Sequence, residues 1–250
     1  MDLIEKISSF EYSLWIVCFA LYLFDHLKLL SGDELLYETT PFDNWHLRLS
    51  KVPFSIHGKD LYLINPFFPA GVAFKARWGA DTFRLKKKVR RERRSLLIFM
   101  HHLRDVRVAS MISFITFTIM GPYFTSTRGL LFALLTVVSV NLVLNLALLP
   151  MLWLHHDTFR LSKGKIVALC VESLIVFPYV AALAKRISFN YEIRCDGLML
   201  AKTLGPNSNY RAILDNATER LKERLESLSD SPDNRARAEL HKYISSVQAF

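Results

Sequence analysis

Residues 129–154 carry no formal charge over 26 consecutive positions, and residues 108–127 carry none over 20. No other feature limits the possible folds as strongly. An α-helix rises 1.5 Å per residue, so about 20 apolar residues match the roughly 30 Å hydrocarbon core of a bilayer. Uncharged runs of 18 or more residues are therefore transmembrane candidates. Residues 166–184 form a third such run, interrupted only by Glu172. A fourth, residues 12–30, is charge-free only as far as residue 24, so a spanning helix there must extend through Asp25, His26 and Lys28. The start carries Asp2, Glu5 and Lys6 and no A-x-A site follows, which favours an uncleaved helix over a signal peptide. The expected fold is a mainly α integral membrane protein with about four transmembrane helices, one in residues 1–30 and three in residues 108–184.

The formal net charge of +9 is confined to residues 75–107, where 12 Lys/Arg stand against Asp81, Glu92 and Asp105. Lys and Arg near a membrane segment mark the cytoplasmic side, so residues 75–107 are expected inside. The segment 108–127 then runs outward and 129–154 returns to a second basic loop with Arg160, Lys163 and Lys165. A bacterial inner membrane is the expected setting, since no organelle-targeting pattern is visible. If residues 166–184 cross once more, Lys185, Arg186 and the carboxyl tail end outside, against the same rule. The alternative is a segment that enters near Pro178 and does not cross. Re-entrant backbone needs protein or water to satisfy its polar groups, so a plain crossing is the simpler expectation.

Between the first helix and the basic run, residues 31–74 read as a small β unit. Trp45-His46-Leu47-Arg48-Leu49 alternates, and two apolar stretches flank His57-Gly58-Lys59-Asp60 as a hairpin would. Its exit, Asn65-Pro66-Phe67-Phe68-Pro69, is too rich in proline for a helix or strand interior, yet apolar. It is expected against a membrane interface or a partner. Residues 82–120 lack Gly and Pro, so one long helix is expected to rise from the basic run into the membrane. Lys86, Lys87, Lys88, Arg90, Arg91, Arg93 and Arg94 on that helix suit anionic lipid headgroups. No nucleic-acid-binding motif accompanies the charge, and nucleic acid is not an expected partner. In the tail, residues 185–250, Cys195-Asp196-Gly197 sits at the turn of a predicted hairpin. A helix over 209–228 carries the stripe Leu214, Ala217, Leu221, Leu225 and Leu228, and another opens at Pro232. Residues 208–250 are therefore the expected surface for a protein partner or self-association.

Candidate chemistry falls on two groups. His26, His101, His102, His155 and His156 gather near the cytoplasmic ends of the expected helices, and imidazole ligates zinc, iron or copper. Adjacent histidines on a helix point about 100° apart, however, and no H-x-x-x-H, H-E-x-x-H or C-x-x-C spacing occurs. A metal or haem is an alternative, and no cofactor is predicted. The second group is Glu172, an acid inside an apolar run, with Asn141 and Asn145 spaced i, i+4 on the preceding helix as its expected hydrogen-bond partners. Such an acid is either a proton or ion relay or part of a packing clamp.

Three readings follow. The first is a non-catalytic accessory or scaffold subunit of a membrane complex, acting through its β unit and tail, and it is preferred because catalytic spacings are absent. The alternatives are a small membrane redox or metal protein using the histidines, and a proton- or ion-coupled carrier using Glu172.

Overall fold

The computed structural model describes residues 10–39, 45–49, 55–56, 59–79, 89–204, 210–227, 238 and 242–245. In chain order they form α1 (Phe10–Asp25), β1 (Leu27–Ser31), β2 (Glu34–Thr39), β3 (Trp45–Leu49), β4 (Ser55–Ile56), β5 (Lys59–Leu63) and β6 (Ala73–Arg77). Next come α2 (Val89–His102), α3 (Arg104–Ile115), a π-helical turn (Thr116–Met120), α4 (Gly121–Arg128) and α5 (Leu130–Leu154). The remainder is α6 (His156–Phe159), α7 (Lys163–Ile175), α8 (Pro178–Ala181), α9 (Leu183–Phe189), α10 (Gly197–Leu204) and α11 (Tyr210–Ser227). The fold is mainly helical, with a small β region. It divides into unit 1, Met1–Lys28, Leu63–Val72 and Ile98–Tyr191, and unit 2, Leu29–Tyr62, Ala73–Leu97 and Glu192–Phe250.

Unit 1 holds two helices long and apolar enough to cross a membrane, Arg104–Arg128 and Leu130–Leu154. The first is α3, the π-helical turn and α4 in unbroken succession. Pro122 explains the turn: it has no N–H, and its ring would strike the carbonyl four residues back. The wider π turn, closed by Gly121 N–H on the Thr116 carbonyl, accommodates it. Thr116, Thr118 and Thr125 return their hydroxyls to the carbonyls of Ile112, Phe114 and Gly121, so these groups are satisfied along their own helix. Val108, Ile112, Ile115 and Ile119 face outward from this helix, as do Leu131, Leu135, Leu142 and Leu146 from α5.

Helix α1 runs antiparallel to α3 and α4. Trp15 donates to Thr125 Oγ1 at 2.9 Å, while the Tyr22 ring meets Phe114 and Phe117. Gly121 permits the crossing, since a Cβ there would lie 2.6 Å from Trp15 Cη2. Trp15, Tyr22, Phe117, Ala133, Val137, Ala181 and Ala182 form the core around it.

Four transmembrane helices are not found among the described residues. Helix α1 has 16 residues, about 24 Å, and stops at Asp25 instead of continuing to residue 30. Strand pairing cuts it short: the His26 carbonyl accepts the Ile64 N–H, and the residues after it join β5 as β1. Residues 166–184 likewise form no single helix. Helix α7 ends at Ile175, Val176 leaves helical geometry at φ −117°, ψ 85°, and Pro178 opens α8. Helix α9 then returns beside α7, with Lys165 Nζ donating to Asn190 Oδ1 at 2.9 Å and Arg186 to Glu172 at 2.8 Å.

Unit 2 is built on two three-stranded sheets, ordered β1-β5-β4 and β3-β2-β6. Strand β2 is buried throughout, and Tyr37 stands opposite Leu47 on one side and Phe74 on the other. Strands β4 and β5 pair Ile56 with Lys59, so Lys59-Asp60 of the expected turn belong to the strand, while residues 57–58 lie outside the described residues. The basic run does not start as a helix. Its first residues lie in β6, where Lys75 reaches Glu34 at 2.9 Å; the described helix begins at Val89, and residues 80–88, with Lys86, Lys87 and Lys88, lie outside the described residues.

The expected hairpin around Cys195-Asp196-Gly197 is replaced by α10. Asp-Gly suits a turn, but Asp196 acts as a helix cap: Oδ1 accepts Met199 N–H at 3.0 Å, and Oδ2 accepts the Tyr243 hydroxyl at 2.9 Å and Gly79 N–H at 3.4 Å. Tyr37 donates to the Gly197 carbonyl, and a Cβ on Gly197 would sit 3.2 Å from the Arg77 carbonyl oxygen. Ile213, Ala217 and Leu221 of α11 are buried, and α11 packs on β3. Of the helix expected after Pro232, only residues 238 and 242–245 are described.

Candidate functional site

Helices α3, α5 and α7 turn small polar side chains toward one another within an apolar bundle. Ser113 Oγ donates to Asn141 Oδ1 at 2.6 Å, Asn141 Nδ2 to the Val137 carbonyl at 2.8 Å, and Asn145 Nδ2 to the Asn141 carbonyl at 2.9 Å. Ser173 Oγ lies 2.8 Å from Asn145 Oδ1 and equally close to the Leu169 carbonyl, between which its one proton is shared. All four side chains are buried. The i, i+4 spacing of the asparagines puts both amides on one face of α5, and a serine from each neighbouring helix closes the ladder. Every polar group in it is held by another. That arrangement locks helices together; it presents no open donor or acceptor to a substrate.

Glu172 does not join the ladder. It is one residue before Ser173, hence about 100° around α7, and its carboxylate instead meets the Arg186 guanidinium. The same guanidinium lies 3.3 Å from Asp25 and stacks 4.3 Å over the Tyr179 ring. Beside it, Lys185 is buried and its ammonium bonds the Asn65 carbonyl, while Lys28 lies 3.7 Å from Asp25. Two carboxylates thus flank the Arg186 guanidinium. Tyr22 donates to the Pro66 carbonyl and Arg107 to the Ala70 carbonyl, so residues 66–70 are tied to α1 and α3 through their backbone, leaving Phe67 75% exposed.

His26 is enclosed in this region. Its Nδ1 sits 2.7 Å from the Tyr22 carbonyl, which can only accept, so Nδ1 carries the proton and Nε2 holds the lone pair. Burial, and then the Lys185 ammonium, push His26 down to about 3, keeping it neutral. Nε2 has no hydrogen-bond partner among the described residues, nor has Arg186 Nη1.

The other histidines are apart from it. His102 and His155 stack with centroids 4.1 Å apart and 30° between planes, and His101 lies edge-on to His102. Stacked rings present faces, whereas metal-binding lone pairs lie in the ring plane. His156 approaches Asp157 at 3.4 Å and the Trp153 carbonyl at 3.0 Å. Among the described residues, no three His, Cys, Asp or Glu gather closely enough to hold a metal ion. Partial burial, then the neighbouring His155 and His101, hold His102 below its ordinary value.

Arg90, Arg91, Arg93 and Arg94 are exposed on α2, while Val89, Glu92, Leu96 and Phe99 are buried. Glu92 accepts the Arg194 N–H at 3.2 Å. Toward the end of α2 the exposed residues become Leu97 and Ile98, so its outer face passes from guanidinium to hydrocarbon. Sequence reasoning missed Arg186, Asp25, Ser110, Ser113 and Ser173. Ser113 and Ser173 leave one signal, a small hydroxyl residue on each apolar helix that faces the asparagines, whereas Ser110 meets Val180 and Ala184 only once the chain has doubled back. Arg186 leaves none, because it reaches Glu172 only once the chain has doubled back. The chain matches no protein-family model, and comparison with curated proteins and with solved structures returns no match.

Proposed function

We propose that this chain is a non-catalytic integral membrane protein, an accessory or scaffold subunit whose unit 1 anchors in the bilayer and whose unit 2 docks a protein partner. The observation that carries the reading is the outward hydrocarbon of the two long helices, from Val108 to Ile119 and from Leu131 to Leu146. Each such side chain, 41–74% exposed, forgoes in water a corresponding part of the about 1.5–3 kcal/mol that full burial supplies. Lipid acyl chains remove that cost. The exposed arginines of α2, followed by Leu97 and Ile98, suit the step from anionic headgroup to hydrocarbon.

The closed Ser113–Asn141–Asn145–Ser173 ladder supports a packing clamp, and the Arg186 pairing of Glu172 supports a structural acid over a relay. In unit 2, Ile213, Ala217 and Leu221 of α11 are buried and the helix packs on β3. A partner would therefore read the exposed, charged side of that helix, Arg211, Asp215, Glu219 and Lys222. The test has two arms. After alkaline carbonate washing, the chain is expected in the membrane pellet; full release into the supernatant overturns the anchor. Extracted in native lipid particles, it is expected to sediment as an assembly heavier than one 28.9 kDa chain. A uniform population of single chains overturns the accessory role.

A further inference from the structure

The segment from α7 through α9 folds back on itself inside unit 1. Lys165 at its start holds Asn190 at its end, and Glu172 holds Arg186 between them and the bend. Both pairs bridge the two arms, so the arms are antiparallel and their open ends lie together. The bend is seated against aromatic rings: Phe177 lies 6.2 Å from Trp15 and 6.5 Å from Phe117. Phe117 is close to the midpoint of the 25-residue helix Arg104–Arg128. Helix α7 itself, 13 residues, reaches about 20 Å. That is more than half a hydrocarbon core and less than the whole.

A bend at that depth is tolerable only if its backbone is satisfied by protein, and here it is. Tyr179 N–H bonds the Val176 carbonyl at 2.8 Å, Val180 N–H the Phe177 carbonyl at 3.2 Å, and Pro178 has no N–H to satisfy. Ser110 on α3 closes the return: its hydroxyl donates to the Val180 carbonyl at 3.1 Å and accepts Ala184 N–H at 3.3 Å. The returning arm, from Val180 to Lys185, is buried, whereas Val167, Val171, Leu174 and Ile175 of the entering arm are exposed and apolar. Lys163, above the Trp153 ring at 5.3 Å, and Lys165 mark the entrance with positive charge and an aromatic platform.

We infer that residues 163–190 are a re-entrant hairpin inserted into a single leaflet, with the outer face of α7 against that leaflet's acyl chains and Lys163 and Lys165 at its phosphate level. This rests on the membrane reading above, and it returns the chain at Tyr191 to the side of the bilayer on which Arg104 and Arg107 lie. The helix break, the buried return arm and the Ser110 staple are then one device: a wedge that distinguishes one face of the membrane from the other.

The test is labelling of full-length, membrane-inserted protein with a membrane-impermeant maleimide, in vesicles of each orientation. Gly164→Cys, Glu192→Cys and Ser126→Cys are made singly at exposed positions; the native Cys18, Cys170 and Cys195 are buried and set the background. Positions 164 and 192 are expected to react several-fold faster from one common face, and position 126 from the opposite face. Reaction of 164 and 192 from opposite faces overturns the hairpin. Reaction of all three from one face overturns the two-span reading beneath it, an outcome the carbonate wash reports separately. A spin label at Ile175→Cys gives an independent depth: near the bilayer midplane and deeper than one at position 164 if the wedge is present, and no deeper if it is not.

Discussion

Substituting Gly121 with alanine tests the crossing of α1 over α4 with one methyl group. The backbone there, φ −57° and ψ −61°, is ordinary helix, so alanine strains no torsion. The cost comes entirely from contact. The new Cβ would sit 2.6 Å from Trp15 Cη2 and 2.7 Å from Cζ3, so the indole must shift. Trp15 is 6% exposed and belongs to the core with Tyr22, Phe117, Ala133 and Val137, so its ring has little room. Overpacking of this kind costs about 1–3 kcal/mol. A displaced ring also weakens the Nε1 bond to Thr125, worth about 1 kcal/mol. At about 2–4 °C per kcal/mol for a chain of this size, Gly121→Ala should lower the melting temperature of the purified protein by roughly 5–15 °C. Gly164→Ala is the control, since nothing lies within 4 Å of the Cβ it would add, and the gain in helix propensity should leave stability equal or higher. Trp15→Leu removes the clash, so a double-mutant cycle of positions 15 and 121 should show coupling of about 1 kcal/mol or more. A Gly121→Ala protein that melts like wild type, or a cycle without coupling, would refute the close approach.

Asn141→Ala leaves Ser113 without its acceptor and should cost about 0.6–1.7 kcal/mol by thermal melting, while adding Ser113→Ala should cost little more. Asp196→Ala removes the cap of α10 and the acceptor of the buried Tyr243 hydroxyl, which keeps the Gly79 N–H; a loss of about 2 kcal/mol in unit 2 is expected from denaturant titration, and Asp196→Asn should retain part of it. His102 is held below its ordinary value when folded, so the unfolded chain binds the proton more readily. Its contribution is complete above the unfolded value near 6.5 and is lost as pH falls below that. Melting followed from pH 8 to pH 5 should therefore show a decline that His102→Gln makes shallower, and an unchanged profile would count against the stacked His102–His155 arrangement.

The two long helices were legible because absence of charge over 20 residues is a local pattern that can be read without knowing any distant partner. The β unit was legible in part: alternation at Trp45–Leu49 marked β3, but β1 and β6 are short strands recruited by partners distant in sequence. The hairpin of residues 163–190 shows where pattern reasoning stops. Pro178 was visible, and so was the charge conflict a crossing creates, yet the Ser110 hydroxyl that makes the bend tolerable lies 70 positions from Val180. Asp196-Gly197 failed differently. The same dipeptide serves a turn or a helix start, and the choice was made by Tyr243 and Tyr37, far away along the chain. Asn141 and Asn145 were visible by their spacing, but their partners were not, since serine in an apolar helix often bonds its own backbone, as Ser173 also does.

The bond between Tyr243 and Asp196, and that between the Gly79 N–H and the Tyr243 hydroxyl 164 residues away, set an order of events during synthesis. The strands of unit 2 leave the ribosome early, but the side chains that close the sheet region over Gly79 and Gly197 come last. At about 5–20 residues per second, roughly 10–30 s separate Gly79 from Tyr243. Through that interval β2 and β6 exist without α10, and the two long helices are made and threaded meanwhile. The nascent chain thus carries an uncovered sheet for most of its synthesis, and a ribosome stalled before residue 196 holds a species open to capture by a chaperone or to aggregation.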